Sequence, residues 1–124
     1  MTQGPVPAPA RSLRPRERIR RRPEFQRVHE LGARKSGRYM TVLFLANGLS
    51  HDRLGIIASR RIGGAVRRNK AKRLIREIFR LNKRSGSGWD IVVIPKPELP
   101  DVDFAALEAD YRHIRQRHAK RARA

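Results

Sequence analysis

The 124-residue chain carries 30 lysine and arginine residues against 11 aspartates and glutamates, a formal charge of +19, and holds no cysteine. That length suits one domain with one core, and the missing thiols exclude disulfides, cysteine nucleophiles and thiolate zinc sites. No stretch reaches the ~18 apolar residues of a membrane helix, so the charge points to a polyanion, nucleic acid first, and not to a membrane.

Residues 1–15 begin with Pro5, Pro7 and Pro9 in alternation and have little apolar bulk. Such a composition cannot offset the entropy of ordering, so a disordered proline-rich leader is expected. It lacks the continuous apolar run of a signal peptide, and the expected location is cytoplasmic. Arg22-Pro23-Glu24 then starts a short helix, because proline fits a first helical turn and an early acid favours a helix N-terminus. Phe25, Val28 and Leu31 give this helix one apolar face, and Gly32 closes it. A short strand fits residues 33–36. Residues 39–46, YMTVLFLA, read as a strand ended by Asn47-Gly48, and residues 53–59, RLGIIAS, as its antiparallel partner.

Gly63-Gly64 precedes a helix that runs toward Ser85-Gly86-Ser87-Gly88. From Arg60 to Arg84 the chain places eleven lysines and arginines and a single acid, Glu77, within twenty-five residues. At about 100° per residue, Ala71, Leu74, Ile75, Ile78 and Phe79 gather into a buried stripe. Arg68, Asn69, Lys72, Arg73, Arg76 and Arg80 occupy the adjoining flank. A merely soluble helix mixes its signs; this flank is suited to phosphates. Residues 89–94, WDIVVI, then read as a buried strand stopped by Pro95, Pro97 and Pro100. Phe104, Leu107, Tyr111 and Ile114 recur at helical spacing behind a cap at Asp101 or Asp103, with Arg112, Arg115 and Arg117 toward the helix end. The result is a small α+β sandwich-like domain.

No catalytic motif accompanies these elements. The glycine pair lacks the ending of a nucleotide-binding loop, the four histidines are scattered, and the acids show no paired spacing. Neither a catalytic residue nor a metal-ligating residue is assigned. Charge and size alone leave open a ribosome-associated or other structural RNA-binding protein without a nuclease role, while a metal-dependent nuclease would need a carboxylate cluster.

The run from Arg60 to Glu77, RRIGGAVRRNKAKRLIRE, resembles the protein subunit of bacterial ribonuclease P in its doubled cation, Ile-Gly, Ala-Val, Arg-Asn and Lys-Arg at the family's spacing. Arg22-Pro23-Glu24-Phe25, Arg53-Leu54-Gly55 and Asp90-Ile91-Val92 add to the likeness, which covers about residues 16–118. Lys70 stands in place of the last arginine of the usual Arg-Asn-Arg. The resemblance implies an RNA-binding α-β-β-β-α-β-α domain over 16–118 with a left-handed parallel crossover, followed by a basic tail at 119–124. It implies a protein that assists a catalytic RNA, which binds most of the Mg²⁺, in removing the 5′ leader from precursor tRNA. The protein itself contributes no catalysis, and no DNA partner is expected. Arg61, Arg67, Arg68, Asn69, Lys72, Arg73 and Arg76 match the RNA-facing motif, to which the helix flank adds Arg80. Phe25, His29, Tyr39, Ser59 and Arg60 match or adjoin the cleft that receives the leader.

Overall fold

A computed structural model describes residues 13–83 and 88–123, with backbone alone for 120–123. The elements run α1 (Arg22–Leu31), β1 (Ala33–Ser36), β2 (Met40–Ala46), β3 (Arg53–Ile56), α2 (Ala65–Leu81), β4 (Trp89–Pro95) and α3 (Phe104–Arg123), in the α-β-β-β-α-β-α order the family likeness implies. Short 3-10 turns lie at Pro15–Glu17, Arg60–Ile62 and Leu99–Asp101.

The sheet order is β1-β2-β4-β3, with β1 and β2 antiparallel, β2 and β4 antiparallel, and β3 and β4 parallel. The expected hairpin between residues 39–46 and 53–59 is therefore absent: β4 inserts between them. Burial explains the outcome. Ile91, Val92 and Val93 are each at most 1% exposed, and an unbroken apolar run covered on both faces belongs in the middle of a sheet. The short β3 is left at an edge, and the β3–α2–β4 path becomes a parallel crossover.

Side-chain alternation splits the core into two layers. Val28 of α1 packs with Ile19, Leu43 and Val92 on one face. On the other, Met40, Val42, Phe44, Ile91 and Val93 meet Ala71, Ile75, Ile78 and Phe79 of α2 and Leu107, Tyr111 and Ile114 of α3. The expected α2 stripe holds, with Leu74 at its half-buried margin. In α1 the face is narrower than expected, since Leu31 is exposed.

The domain starts earlier than residue 16. Leu13 is a buried member of the larger core cluster, and Glu17 accepts from Arg14 N at 3.0 Å while pairing with Lys83 at 2.7 Å. Burial raises the Glu17 pKa, but the Lys83 and Arg14 contacts outweigh it and hold the carboxyl below its ordinary value. The part of the expected leader at residues 1–12 lies outside the described residues. At the other end α3 runs on to Arg123, so the boundary expected at 118 falls within a helix. α2 ends at Leu81, where Asn82 Nδ2 donates to Ile78 O at 2.8 Å. Of the Ser85 to Gly88 run expected to close that helix, only Gly88 is described.

Candidate nucleic-acid interface

Two motifs far apart in sequence meet at the first turn of α1. Glu24 Oε1 accepts from Arg21 N at 3.3 Å, closing the helix start. Its Oε2 accepts from Arg53 Nη1 at 3.1 Å, and Arg53 also forks onto Asp90 at 2.8 and 2.7 Å. These bonds, Asp90 foremost, raise the Arg53 pKa further. One residue on, Phe25 lies over Gly55: a β-carbon there would stand 2.6 Å from Phe25 Cε1. So Arg-Pro-Glu-Phe and Arg-Leu-Gly are two halves of one joint.

Phe25 is only half-buried, and its free side opens on two adjoining pockets. One, of about 160 Å³, is bounded by Phe25, Gly55, Arg18, Lys72 and Arg76. The other, about 520 Å³ and more open, is bounded by Phe25, Ile56, Ala58, Arg20, Arg22 and Lys72. The Phe25 ring thus shares a groove with two cations of the α2 flank. Burial, then the nearby Arg18 and Arg73 charges, lower the Arg76 pKa, yet guanidinium stays protonated at neutral pH. Like charges held this close are relieved by a phosphodiester.

The α2 cations divide into two kinds. Arg68, Lys72, Arg73 and Arg76 form no ion pair among the described residues. Asn69 and Arg73 are exposed beside them, as is Arg61 at the preceding turn, where Ser59 Oγ accepts from Arg61 N at 3.3 Å. Arg67 is different. Its guanidinium forks onto Asp101 with two 2.9 Å bonds, and it also donates to Ile62 O at 2.8 Å and Pro97 O at 3.2 Å. The Asp101 bonds raise the Arg67 pKa and lower that of Asp101. Arg67 braces the start of α2 against the β4–α3 connection, and Asp101, expected as a possible helix cap, is its partner. Asp103 holds the cap position, its C=O accepting from Leu107 N. Arg80 forks onto Glu77, which is 3% exposed. The one acid of the basic segment is therefore buried and neutralised.

Of the expected cleft residues, Phe25 lines the groove. Ser59 and Arg60 are exposed beyond β3, and His29 is exposed on the last turn of α1. Tyr39 is half-buried against the larger core cluster, on a different layer from Phe25. No group of three or more histidine or acidic side chains converges among the described residues.

A family model for ribonuclease P matches residues 13–119. The chain belongs to the ribonuclease P protein family. The ribonuclease P protein component of Thermotoga maritima is 48% identical over 94 residues, spanning 72% of this chain and 80% of that relative. That of Syntrophus aciditrophicus is 40% identical over 95 residues, spanning 76% and 80%. Among solved structures, the Staphylococcus aureus RNase P protein superposes with a TM-score of 0.73 at 34% identity, covering 81% of this chain and 93% of that one. The Thermotoga maritima RNase P protein gives 0.69 at 40% identity, covering 78% and 93%.

Within this ribonuclease P protein fold, two groove cations escaped the motif reading, Arg18 and Arg20, while Arg22 belongs to the Arg-Pro-Glu-Phe motif. Their signal was available in the arginine run before Pro23, which the sequence reading placed in the domain without an element; Ile19 N bonds Leu54 O at 2.9 Å and brings that run alongside β3.

Proposed function

We propose that the chain is the RNA-binding protein subunit of ribonuclease P, acting in tRNA 5′ maturation in the cytoplasm. The α2 flank of Arg68, Asn69, Lys72, Arg73 and Arg76 binds the catalytic RNA, and the groove at Phe25 takes the single-stranded 5′ leader of precursor tRNA. The observation that carries this reading is the shared wall: Lys72 and Arg76, which belong to the cationic flank of α2, also border the Phe25 groove. Aromatic faces beside cations suit unpaired nucleotides, which offer bases to stack and phosphates to neutralise.

In this reading the RNA performs the phosphodiester hydrolysis and holds Mg²⁺. Support comes from three buried carboxylates that turn to internal partners: Asp90 to Arg53, Asp52 to Arg115 and Trp89 N, and Glu77 to Arg80. The test is cleavage of precursor tRNA at low Mg²⁺ by the RNA alone, the protein alone and both. Only the pair should cut efficiently. Cleavage by the protein alone, or no gain on adding it to the RNA, would overturn the proposal.

A further inference from the structure

We infer that a pocket at the β1 edge of the sheet, bordered by Phe44, Trp89, His118 and Lys35, is a site for one unpaired RNA nucleotide, with the base inside and the phosphate on the cationic rim. It is a second site, separate from the Phe25 groove and independent of the leader reading. Strand lengths create it. β2 pairs with β4 over its whole length, but β1 covers it only from Thr41 to Phe44, so Leu45 and Ala46 have no strand on that side. The space is an open pocket of about 340 Å³ between Leu31, the last residue of α1, and His118 of α3.

Three features define the chemistry of its ligand. The lining is aromatic: the His118 ring lies parallel to Phe44 at 4.0 Å and meets Trp89 at 82° and 4.6 Å, and exposed Leu31 extends the apolar wall. Base faces stack on such rings whatever their sequence. His118 Nε2 is buried without a hydrogen-bond partner among the described residues, although buried polar atoms are nearly always paired. A neutral imidazole nitrogen donates or accepts according to its tautomer, and a base edge offers both kinds of group. The rim, finally, is cationic. Lys35 borders the pocket, Arg34 is exposed beside it, and no acid lines the pocket among the described residues. Neither cation forms an ion pair among those residues. An apolar side chain from a protein partner would suit the rings and leave these charges unmatched, whereas a phosphate matches them.

Trp89 is the sole tryptophan of the chain, so its emission reads this pocket directly. Titrated into the full-length protein, adenosine 5′-monophosphate should change that emission saturably, and ribose 5-phosphate at the same concentrations should not. Ala46→Phe, at an exposed position bordering the pocket, should weaken the nucleotide about tenfold or more, within the range for one stacked base. His118→Phe, which keeps a ring on Phe44 but no nitrogen, should weaken it about two- to tenfold. Lys35→Met should weaken the nucleotide about two- to fivefold and adenosine little. Phe25→Ala should leave the titration unchanged, which separates this site from the leader groove. Any of four results would overturn the inference. No saturable change would mean no site, and an equal response to ribose 5-phosphate would mean a cationic surface without a base pocket. Affinity unmoved by both Ala46→Phe and His118→Phe would place the nucleotide elsewhere. Self-association abolished by Ala46→Phe and indifferent to nucleotide would give the pocket to a second copy of the chain.

Discussion

Phe25 rests so closely on Gly55 that the strand has no room for a side chain beneath the ring. The aromatic that lines the groove is thus fixed by an absence, and Gly55→Ala tests it. Overpacking of this kind costs about 1–3 kcal/mol, and displacing the ring should also weaken precursor tRNA binding. Gly64→Ala is the control, since a β-carbon there meets nothing within 4 Å; a change under about 0.5 kcal/mol is expected. Equal melting shifts for the two variants would refute the packing argument.

Phe25→Ala tests the stacking itself. One base stacked on one ring contributes about 1–3 kcal/mol, so precursor affinity should fall roughly five- to a hundredfold while mature tRNA is little affected. A melt of the same variant checks that it stays folded. Equal weakening for both ligands would reject leader recognition by this ring.

The division among the α2 cations predicts two phenotypes. Replacing Arg68, Lys72 and Arg76 by alanine should leave the fold intact and flatten the salt dependence of catalytic-RNA binding. With about six phosphates neutralised, the duplex-DNA relation gives roughly a thousandfold affinity loss between 50 and 200 mM salt. Arg67→Ala should do the converse, lowering the melting temperature as the Asp101 and Pro97 contacts go, with the salt slope unchanged. An Arg67 variant that melts normally but loses the slope would return that side chain to the RNA face.

His118 makes stability depend on pH. It stacks on Phe44 at 4.0 Å and meets the edge of Trp89; burial first, then Arg115 and Lys35, hold its pKa below the ordinary 6.5. The unfolded chain takes up this proton at higher pH than the folded one. The contribution is therefore fully present above about pH 6.5 and declines as pH falls through it, by at most about 1.4 kcal/mol per pH unit. Denaturant midpoints from pH 7.5 to 5.5 should fall for the native chain and fall less for His118→Phe, which keeps a ring against Phe44. Parallel slopes would exclude His118 as the source.

The helices were legible because each carries its own period. Ala71, Ile75, Ile78 and Phe79 recur every three or four residues and are all buried, a pattern that needs no knowledge of the partner. Ile78→Ala should accordingly cost about 2–5 kcal/mol and exposed Arg73→Ala far less. Strand pairing was not legible, because period 2 says which face is buried and nothing about the neighbour. Residues 53–56 pair with a strand that arrives only after the whole of α2. The groove was half legible: Phe25 and Lys72 belong to recognisable motifs, whereas Arg18 and Arg20 enter only through the β3 contact. Arg67 and Arg80 illustrate the remaining limit. Their charge is plain in the sequence, but which acid each one grips depends on long-range packing for Arg67 and on the burial of Glu77 for Arg80.

The place of β4 sets an order on biosynthesis. β2 and β3 touch only through a strand that the ribosome delivers after all the cations of α2. Pairings of this sequence separation form late and slowly. A nascent chain interrupted before Trp89 therefore carries the whole polyanion-binding charge of α2 without the strand that would join its sheet. On the proposed function it would adhere to nucleic acid yet lack the frame that gives Phe25 its place, which makes completion of translation the step at which charge becomes recognition.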